Sequence, residues 1–298
     1  MTTRRTFLSA AIALFAATGC AVTARRREAE LIAELEAIHT RIGGRLGVYV
    51  LETRSGFELA YHAHERFAMC STFKLLLAGA ILARVEAGEL TLEQKVPLSE
   101  ADMISHAPVT ASRVAEGSIS VGDLCAAVIE VSDNPAANLL LGLIGGPAGL
   151  TQFLRGIGDS VTRLDRMELD LNTNLPGDPR DTTTPHAMVH SAQTLLMRDV
   201  LNEESRARLI RWLRGSTTGL GRIRAGLPSH WQAGDKTGTG ANGAANDVMI
   251  AWPAPGSVAT GSLIIAAVYM SESQQPRAVL EQAHAQIGSL IAKAFMDR

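Results

Sequence analysis

Apolar and polar positions follow a helical period in some parts of the chain and a strand-like pattern in others. Apolar side chains recur at the spacing of one helix face over residues 28–42, which predicts a helix. The runs 46–52 and 57–62 are rich in apolar and β-branched residues and are separated by an Arg-Ser-Gly turn. They predict two strands that follow the first helix.

The middle of the chain is mainly helical in its pattern, and strand patterns return near the end. Helical spacing predicts six helices, at residues 72–87, 120–130, 135–144, 147–156, 185–198 and 203–214. A polar, proline-containing stretch at 163–184 interrupts them. Apolar runs then predict three strands and a final amphipathic helix, at residues 229–237, 246–252, 261–270 and 278–296.

Two strands at the start and three at the end most economically form one five-stranded antiparallel sheet. The predicted fold class is therefore α+β, with the sheet covered by the terminal helices in an α/β/α sandwich. The segments 28–65 and 215–298 would form this α/β domain. Residues 66–214 would form a separate all-helical domain, and the cleft between the two is the expected place for an active site.

Bulk composition excludes several classes of protein. The 298 residues, 46% hydrophobic and 19% charged, fit an ordered globular protein. A net charge of −2 gives no electrostatic reason to expect nucleic acid as a partner. After the first two dozen residues no uncharged apolar run is long enough to span a bilayer, so we expect the mature protein to be soluble. We also expect it to be a monomer.

The N-terminus has the pattern of an export signal at residues 1–24. Arg4 and Arg5 precede an apolar stretch, which is typical of twin-arginine signals, although a Sec signal or an amphipathic helix remains an alternative. Cleavage is expected either near Cys20, which would then carry a lipid anchor, or after Ala24. The mature protein would be periplasmic or associated with the cell envelope.

Cysteine spacing gives little support to a disulfide or a metal site. Cys70 and Cys125 could pair in an oxidising compartment, but nothing in their spacing requires it. Cys125 lies in an apolar helical stretch that is typical of a buried, small side chain. No Cys/His cluster has zinc-ligand spacing, so we predict neither a metal nor another cofactor.

Lysine is rare in this chain, with only four among 28 cationic residues, and two of the four lie in short motifs. Ser71-Thr72-Phe73-Lys74 begins an apolar helix, so the hydroxyl and the amine lie on one face. The helix N-terminus favours negative charge at Ser71 and weakens the hold of Lys74 on its proton. This motif predicts an activated nucleophile with its own base, or more simply a helix cap followed by a solvated lysine.

Two further motifs allow both a structural and a chemical interpretation. Ser132-Asp133-Asn134-Pro135 fits a helix start, but it also offers a hydroxyl for proton relay and an amide for holding substrate. The motif Lys236-Thr237-Gly238-Thr239 fits a polar strand end. It also supplies a cation and two hydroxyls for a carboxylate, with a glycine that permits close approach.

In this order, the three motifs are similar to the set that marks the penicillin-recognising serine enzymes. The stretch 163–181 resembles the Ω-loop of class A serine β-lactamases, and the resemblance extends over about residues 28–298. It implies hydrolysis of penicillins and cephalosporins, and hence antibiotic resistance. Arg166 and Asp181 would form the ion pair at the neck of the loop.

The resemblance also implies a catalytic role for five side chains. Ser71 would attack the lactam carbonyl, and Ser132 would protonate the departing nitrogen. Glu168, with Asn172, would hold and activate the water that releases the acyl group. Either Lys74 or Glu168, acting through a water, would take the proton from the serine, and this choice stays open.

Substrate-binding residues follow from the same resemblance, which implies Asn134, Lys236, Thr237, Gly238, Thr239, Arg222 and His106. The backbone N–H groups of Ser71 and Thr239 would form the oxyanion hole. Arg222 would replace an arginine that many members carry after the K-T-G strand, and His106 stands where an aromatic side chain usually gates the cleft. Carbapenem hydrolysis stays open, because the position that pairs with Cys70 in some carbapenemases is here Gly240.

Three rival functions remain from the sequence. A D,D-peptidase or penicillin-binding protein would share the acylation chemistry but lack the Glu168–Asn172 arrangement. A β-lactam sensor would usually be tethered to a transmembrane segment. A general esterase would be expected to carry a G-x-S-x-G elbow, which is absent.

The export signal generates a first testable prediction. Replacing both Arg4 and Arg5 by lysine should block export, because the twin-arginine receptor reads the guanidinium pair. The measurement is the active enzyme in the envelope fraction of expressing cells. Normal amounts there would identify the segment as a Sec signal instead.

Overall fold

The protein is described by a computed structural model that covers residues 26–253 and 261–296. The predicted export signal, including Arg4, Arg5 and Cys20, lies outside the described residues. The chain divides into two units, residues 1–41 and 42–298. The described residues of the first unit, 26–41, all belong to one helix.

The secondary structure follows the predicted order closely. In chain order the helices are α1 (26–42), α2 (Phe73–Glu86), α3 (Thr110–Arg113), α4 (Val121–Glu130), α5 (Asn134–Leu143), α6 (Gly146–Gly156), α7 (Pro185–Met197), α8 (Glu203–Gly215) and α9 (Arg277–Met296). The strands are β1 (Arg45–Glu52), β2 (Glu58–Tyr61), β3 (Phe67–Ala68), β4 (Lys95–Pro97), β5 (Ser118–Ser120), β6 (Thr182–Thr183), β7 (Gln232–Thr239), β8 (Ala245–Trp252) and β9 (Ile264–Ser271).

Five of these strands form one antiparallel sheet, in the order β2-β1-β9-β8-β7. The central strand β9 is buried along its whole length, which explains why it is an almost uninterrupted apolar run. Helix α7 packs against β1 and β9, whereas α9 packs against β8. The predicted α+β fold with a five-stranded antiparallel sheet is therefore confirmed.

Strand β7, at the edge of the sheet, lies beside the candidate site. It pairs with β8 in a hairpin whose last register pair is Thr239 and Ala245, and its other edge has no strand partner in the described part of the chain. Strand β7 also contacts the 3₁₀ turn Cys70–Thr72, which leads into α2. The backbone of an edge strand therefore lies beside the start of a helix.

Helix α2 forms the centre of the helical part. Its first ten residues are all buried, because the helix is apolar on every side and packs against α4, α5, α6 and α7. A helix fixed in this way holds the residues at its N-terminus in one position, and Ser71 lies directly before it.

Helix α5 begins at the predicted Ser-Asp-Asn-Pro motif, with Asp133 as its cap and Pro135 in its first turn. It meets α6 at 69°. Among the described residues, no single helix is long and apolar enough to cross a membrane, although this bent pair would pass by length and composition.

The sequence did not indicate the two small sheets, β3 with β6 and β4 with β5, or the short helix α3. Strands of two or three residues have too few positions to show a period, so only tertiary contacts identify them. The division into an α/β domain and an all-helical domain stays a prediction.

Gly47 in β1 generates a prediction about packing. A Cβ at this position would lie 2.5 Å from the Phe67 ring and 2.9 Å from Pro185 Cγ. We expect Gly47→Ala to lower the free energy of unfolding by about 1–3 kcal/mol through overpacking. Gly142→Ala, where a Cβ meets nothing within 4 Å, is the control. It should leave stability unchanged or raise it by up to about 1 kcal/mol. Urea unfolding of both variants measures this, and equal effects would contradict the packing argument.

Candidate active site

Ser71 lies in the 3₁₀ turn Cys70–Thr72, half-buried at the start of α2. The turn is fixed from within, because Thr72 Oγ1 donates to Met69 O at 2.8 Å. Ser71 Oγ donates to Glu168 Oε1 at 3.4 Å. The predicted nucleophile therefore faces the Ω-loop carboxylate.

Lys74 lies on the same face of the helix and is completely buried. Its Nζ is 3.0 Å from Glu168 Oε1 and donates to Asn134 Oδ1 at 2.6 Å and to Ser132 O at 2.9 Å. Burial lowers the pKa of Lys74, although the charge of Glu168 acts in the opposite direction. Ser71 and Lys74 thus share one carboxylate oxygen.

The Ser132–Asn134 segment starts helix α5 and also contacts Lys74. The Asp133 carboxylate caps α5 by accepting from Ala136 N, and it also accepts from the backbone N–H of Thr110 at 2.9 Å. With Asp133 held on that side, Ser132 and Asn134 both contact Lys74. The helix start therefore positions the two predicted functional groups.

Glu168 has no exposed side-chain surface. Asn172 Nδ2 donates to its second oxygen, Oε2, at 2.5 Å. Within the described part of the chain, Asn172 Oδ1 is buried and has no hydrogen-bond partner. The two predicted Ω-loop residues are therefore in contact.

Asn138 is a residue that the sequence reasoning missed. Its Nδ2 donates to Glu168 O at 3.0 Å, and its Oδ1 accepts from Glu168 N at 2.9 Å, so it holds both sides of the peptide backbone. The one signal for it in the sequence is its position in an apolar helix, four residues after Asn134. That spacing places the two amides on the same face of the helix.

The neck of the Ω-loop is closed by the predicted pair. Arg166 Nε donates to Asp181 Oδ2 at 2.6 Å, and Asp181 is fully buried. The other oxygen, Oδ1, accepts from the backbone N–H groups of Asp165 and Arg166 at 2.7 and 2.9 Å. One carboxylate therefore fixes both the side chain and the backbone at the entrance of the loop.

Strand β7 supplies the opposite wall. Lys236 is fully buried, and its Nζ donates to Ser132 Oγ at 3.0 Å. Burial lowers the pKa of Lys236 well below its usual value, and the nearby charge of Lys74 adds to this. Thr237 Oγ1 donates to Thr218 Oγ1 at 2.7 Å, and Thr239 is exposed at the end of the strand.

Gly238 permits the close approach of β7 to the nucleophile. A Cβ at this position would lie 2.6 Å from Met69 O and 3.2 Å from Ser71 N. Any other residue would push the strand away from the turn. The predicted need for glycine here has a direct steric cause.

Arg222 reaches this wall from the segment after α8 and is almost completely buried. Its guanidinium donates to Gly238 O at 3.0 Å, to Asn246 O, and to Thr239 Oγ1 at 2.6 Å. Burial lowers its pKa. Among the described residues, no acidic side chain forms an ion pair with Arg222, so its partners are neutral acceptors.

His106 lies beside the Ser132–Asn134 segment. It is exposed, its ring Nε2 is 2.9 Å from Val131 O, and its carbonyl accepts from Asn134 N. Its φ of 65° is in the left-handed region. The structure thus brings His106 to the edge of the segment that contacts Lys74.

Cys70 and Cys125 are both buried and unpaired, so they form no disulfide with each other. A Cβ at Gly240 would lie 2.6 Å from Cys70 Sγ, so this is the position that faces the thiol. Burial raises the pKa of Cys70 to about 12, which keeps it a neutral thiol.

Within residues 26–253 and 261–296, no three His, Cys, Asp or Glu side chains are placed to hold a metal ion. The positive charges around the nucleophile are those of Lys74, Lys236 and Arg222. The absence of a cofactor stays a prediction from the sequence.

Comparison with known proteins gives the family. A model described as the β-lactamase enzyme family matches residues 30–295. The chain is 47% identical to β-lactamase FAR-1 of Nocardia farcinica over 251 residues, 84% of this chain and 78% of that protein. It is 46% identical to β-lactamase CTX-M-8 of Citrobacter amalonaticus, over 74% of this chain and 75% of that protein.

Solved structures agree with this result. An ancestral class A β-lactamase (GNCA) is 49% identical, with a TM-score of 0.86, over 89% of this chain and all of that one. A β-lactamase from Xanthomonas campestris is 44% identical, with a TM-score of 0.86, over 90% of this chain and 98% of that one. The chain belongs to the β-lactamase enzyme family.

A buried histidine beneath the site generates a prediction about acid stability. His284 of α9 is fully buried, and its Nδ1 lies 2.8 Å from Leu280 O. Burial, together with the charge of Arg222, lowers its pKa from 6.5 to about 3. Between these pH values the unfolded chain binds a proton that the folded protein does not bind. The contribution of His284 to the free energy of unfolding therefore falls as the pH decreases through this range.

We expect His284→Leu to remove this loss, which amounts to about 1 kcal/mol for each pH unit. The measurement is the free energy of unfolding in urea from pH 7 to pH 4. His230→Leu, at an exposed position, is the matched control and should follow the wild-type curve. Parallel curves for wild type and His284→Leu would contradict the assignment.

Proposed function

We propose that this protein hydrolyses β-lactam antibiotics through an acyl-enzyme on Ser71, which is released by water activated by Glu168. One observation carries the proposal. A single oxygen, Glu168 Oε1, lies 3.4 Å from Ser71 Oγ and 3.0 Å from Lys74 Nζ, while the other oxygen bonds Asn172. This carboxylate contacts both the nucleophile and the amide of Asn172, which would hold a water molecule. It can therefore act as a base in deacylation as well as in acylation.

In the acylation step, Ser71 Oγ attacks the lactam carbonyl and gives up its proton. The proton has two routes. It can pass to Glu168, which already accepts the Ser71 hydrogen bond, or to Lys74, whose lowered pKa eases loss of its own proton. The backbone N–H groups of Ser71 and Thr239 would bind the oxyanion, and Gly238 allows the two to approach.

Protonation of the departing nitrogen is assigned to Ser132. Its hydroxyl oxygen lies 3.0 Å from Lys236 Nζ and 3.4 Å from Lys74 Nζ, and both amines can donate to it. A hydroxyl that accepts from two donors has its own proton left to donate elsewhere. That proton is the one we assign to the lactam nitrogen, with Asn134 holding the acylamide side chain.

Recognition of the substrate carboxylate is assigned to β7 and Arg222. Lys236 and Arg222 are buried cations, and Thr237 and Thr239 add hydroxyl groups. Arg222 bonds Thr239 Oγ1 and has no carboxylate partner among the described residues. A substrate carboxylate would supply the missing negative charge. His106 would form part of the rim.

Deacylation is assigned to Glu168 and Asn172. The side-chain nitrogen of Asn172 donates to Glu168, while its side-chain oxygen, Oδ1, is buried and unpaired among the described residues. An unpaired acceptor beside the carboxylate supports a water molecule held between the two side chains. The Arg166–Asp181 pair would keep the loop in place. The second candidate, a D,D-peptidase, would have no need for this arrangement.

We further propose that the mature protein acts as a monomer outside the cytoplasm, in the periplasm or cell envelope. The paired arginines near the N-terminus support twin-arginine export, and Cys20 offers a site for a lipid anchor. β-Lactams are the proposed small-molecule partners, and the net charge of −2 gives no electrostatic reason to expect nucleic acid.

Replacement of Glu168 by glutamine tests the proposal. The substitution keeps size and hydrogen bonding but removes the base, so we expect hydrolysis of the acyl-enzyme to slow by about 100-fold or more. Acylation should suffer less, because Lys74 remains beside Ser71. The acyl-enzyme should appear as a stable mass increase and as a burst equal to the enzyme concentration with a chromogenic cephalosporin.

Ser71→Ala is the matched control, since it should gain no mass from a penicillin. A Glu168→Gln variant with wild-type turnover would move the deacylation base elsewhere. A wild-type protein that itself stays acylated would make the chain a penicillin-binding protein.

A further inference from the structure

The Ω-loop residues that follow Glu168 are held by the turn that joins β7 to β8. Ala241 N donates to Asn172 O at 2.9 Å. Asn242 Nδ2 donates to the next two carbonyls, Thr173 O at 3.2 Å and Asn174 O at 3.0 Å. Three successive carbonyl groups of the loop therefore accept hydrogen bonds from one turn.

The contact is reciprocal. Asn174 Nδ2 lies 3.1 Å from both Ala241 O and Asn242 O, and 3.0 Å from Ser271 Oγ. The Ser271 hydroxyl also lies 3.1 Å from Asn174 Oδ1. Ser271 is the last residue of the central strand β9, so the loop is tied to the middle of the sheet as well as to its edge.

The backbone at both asparagines suits this contact. Asn174 has a φ of 44° and Asn242 a φ of 49°, in the left-handed region that asparagine tolerates better than most residues. Asn242 O also accepts from Glu272 N at 2.7 Å. Each asparagine thus combines an unusual backbone conformation with an amide that reaches across to the other segment.

We infer that Asn174 and Asn242 form a latch that positions Asn172, and through it Glu168, for release of the acyl group. The inference rests on the proposed function. Ala241, the residue before Asn242, bonds the backbone carbonyl of Asn172, and the side chain of Asn172 contacts Glu168. Since a displacement of about 1 Å in a catalytic geometry can cost about 100-fold in rate, the latch should act on deacylation.

Apart from Glu168, which is one of the two candidate bases, the acylation groups are held by other contacts. Ser71 and Lys74 belong to the start of α2, and Ser132 is fixed at the start of α5. Lys236 lies within the β7–β8 pairing. Loss of an asparagine amide at the latch leaves each of these contacts in place.

The experiment measures acylation and deacylation separately in Asn174→Gly and Asn242→Gly. Glycine adopts a positive φ without strain, so only the amide is lost. In rapid-mixing kinetics with a chromogenic cephalosporin, we expect the deacylation rate constant to fall by about 10- to 100-fold. The acylation rate constant should fall less, because Lys74 is a second candidate base beside Ser71, and acyl-enzyme should accumulate in the mass spectrum.

Asn202→Ala is the control for a loss of stability alone. Asn202 caps α8 through Ser205 N at 2.9 Å and takes no part in the site, so both rate constants should stay unchanged. Gly variants that slow acylation and deacylation equally would overturn the latch as a positioning device, as would Gly variants that match wild type in both steps.

Asn174→Asp tests which atoms matter. Aspartate keeps the oxygen that faces Ser271, but it places a second oxygen against Ala241 O and Asn242 O, so deacylation should slow at least as much as in Asn174→Gly. Wild-type deacylation in Asn174→Asp would overturn the role of the amide donor. A wild-type protein without turnover would instead overturn the proposed function itself.

Discussion

The arrangement of this protein depends on accommodating one carboxylate inside the fold. Glu168 has no exposed side-chain surface, and removing an ion from water costs several kcal/mol unless partners replace the solvent. The carboxylate partners come from separate parts of the chain: Lys74 from α2, Ser71 from the turn before it and Asn172 from the Ω-loop. Asn138 of α5 holds the backbone of Glu168. Helix packing and loop closure can be understood as the means of bringing these groups together.

Three buried cationic side chains lie around the nucleophile. Lys74, Lys236 and Arg222 are buried within one network, and Glu168 is the only carboxylate in direct contact with any of the three among the described residues. Burial lowers the pKa of each of these cations, which shows the cost of keeping them protonated. We expect a substrate carboxylate to reduce that cost, which would favour binding of an anionic substrate.

Most of the fold and the site could be predicted because the relevant signals are local. Helix and strand periods identified the long elements, and the motifs around Ser71, Ser132 and Lys236 each lie at the start of a helix or within a strand. Asn138 was missed, because an amide within a helix has no local signal that it will hold a distant backbone. The contacts between Asn174 and the turn at Asn242 were missed for the same reason, since the partners are nearly 70 residues apart in sequence.

The unpaired state of Cys70 and Cys125 has a consequence for how the protein matures. Where Cys70 meets Gly240 there is no second sulfur atom, and Cys125 is buried elsewhere in the core. The described fold therefore contains no covalent cross-link that must await an oxidising compartment. Folding of this part of the chain needs no thiol oxidation, so a reducing agent should leave its stability unchanged.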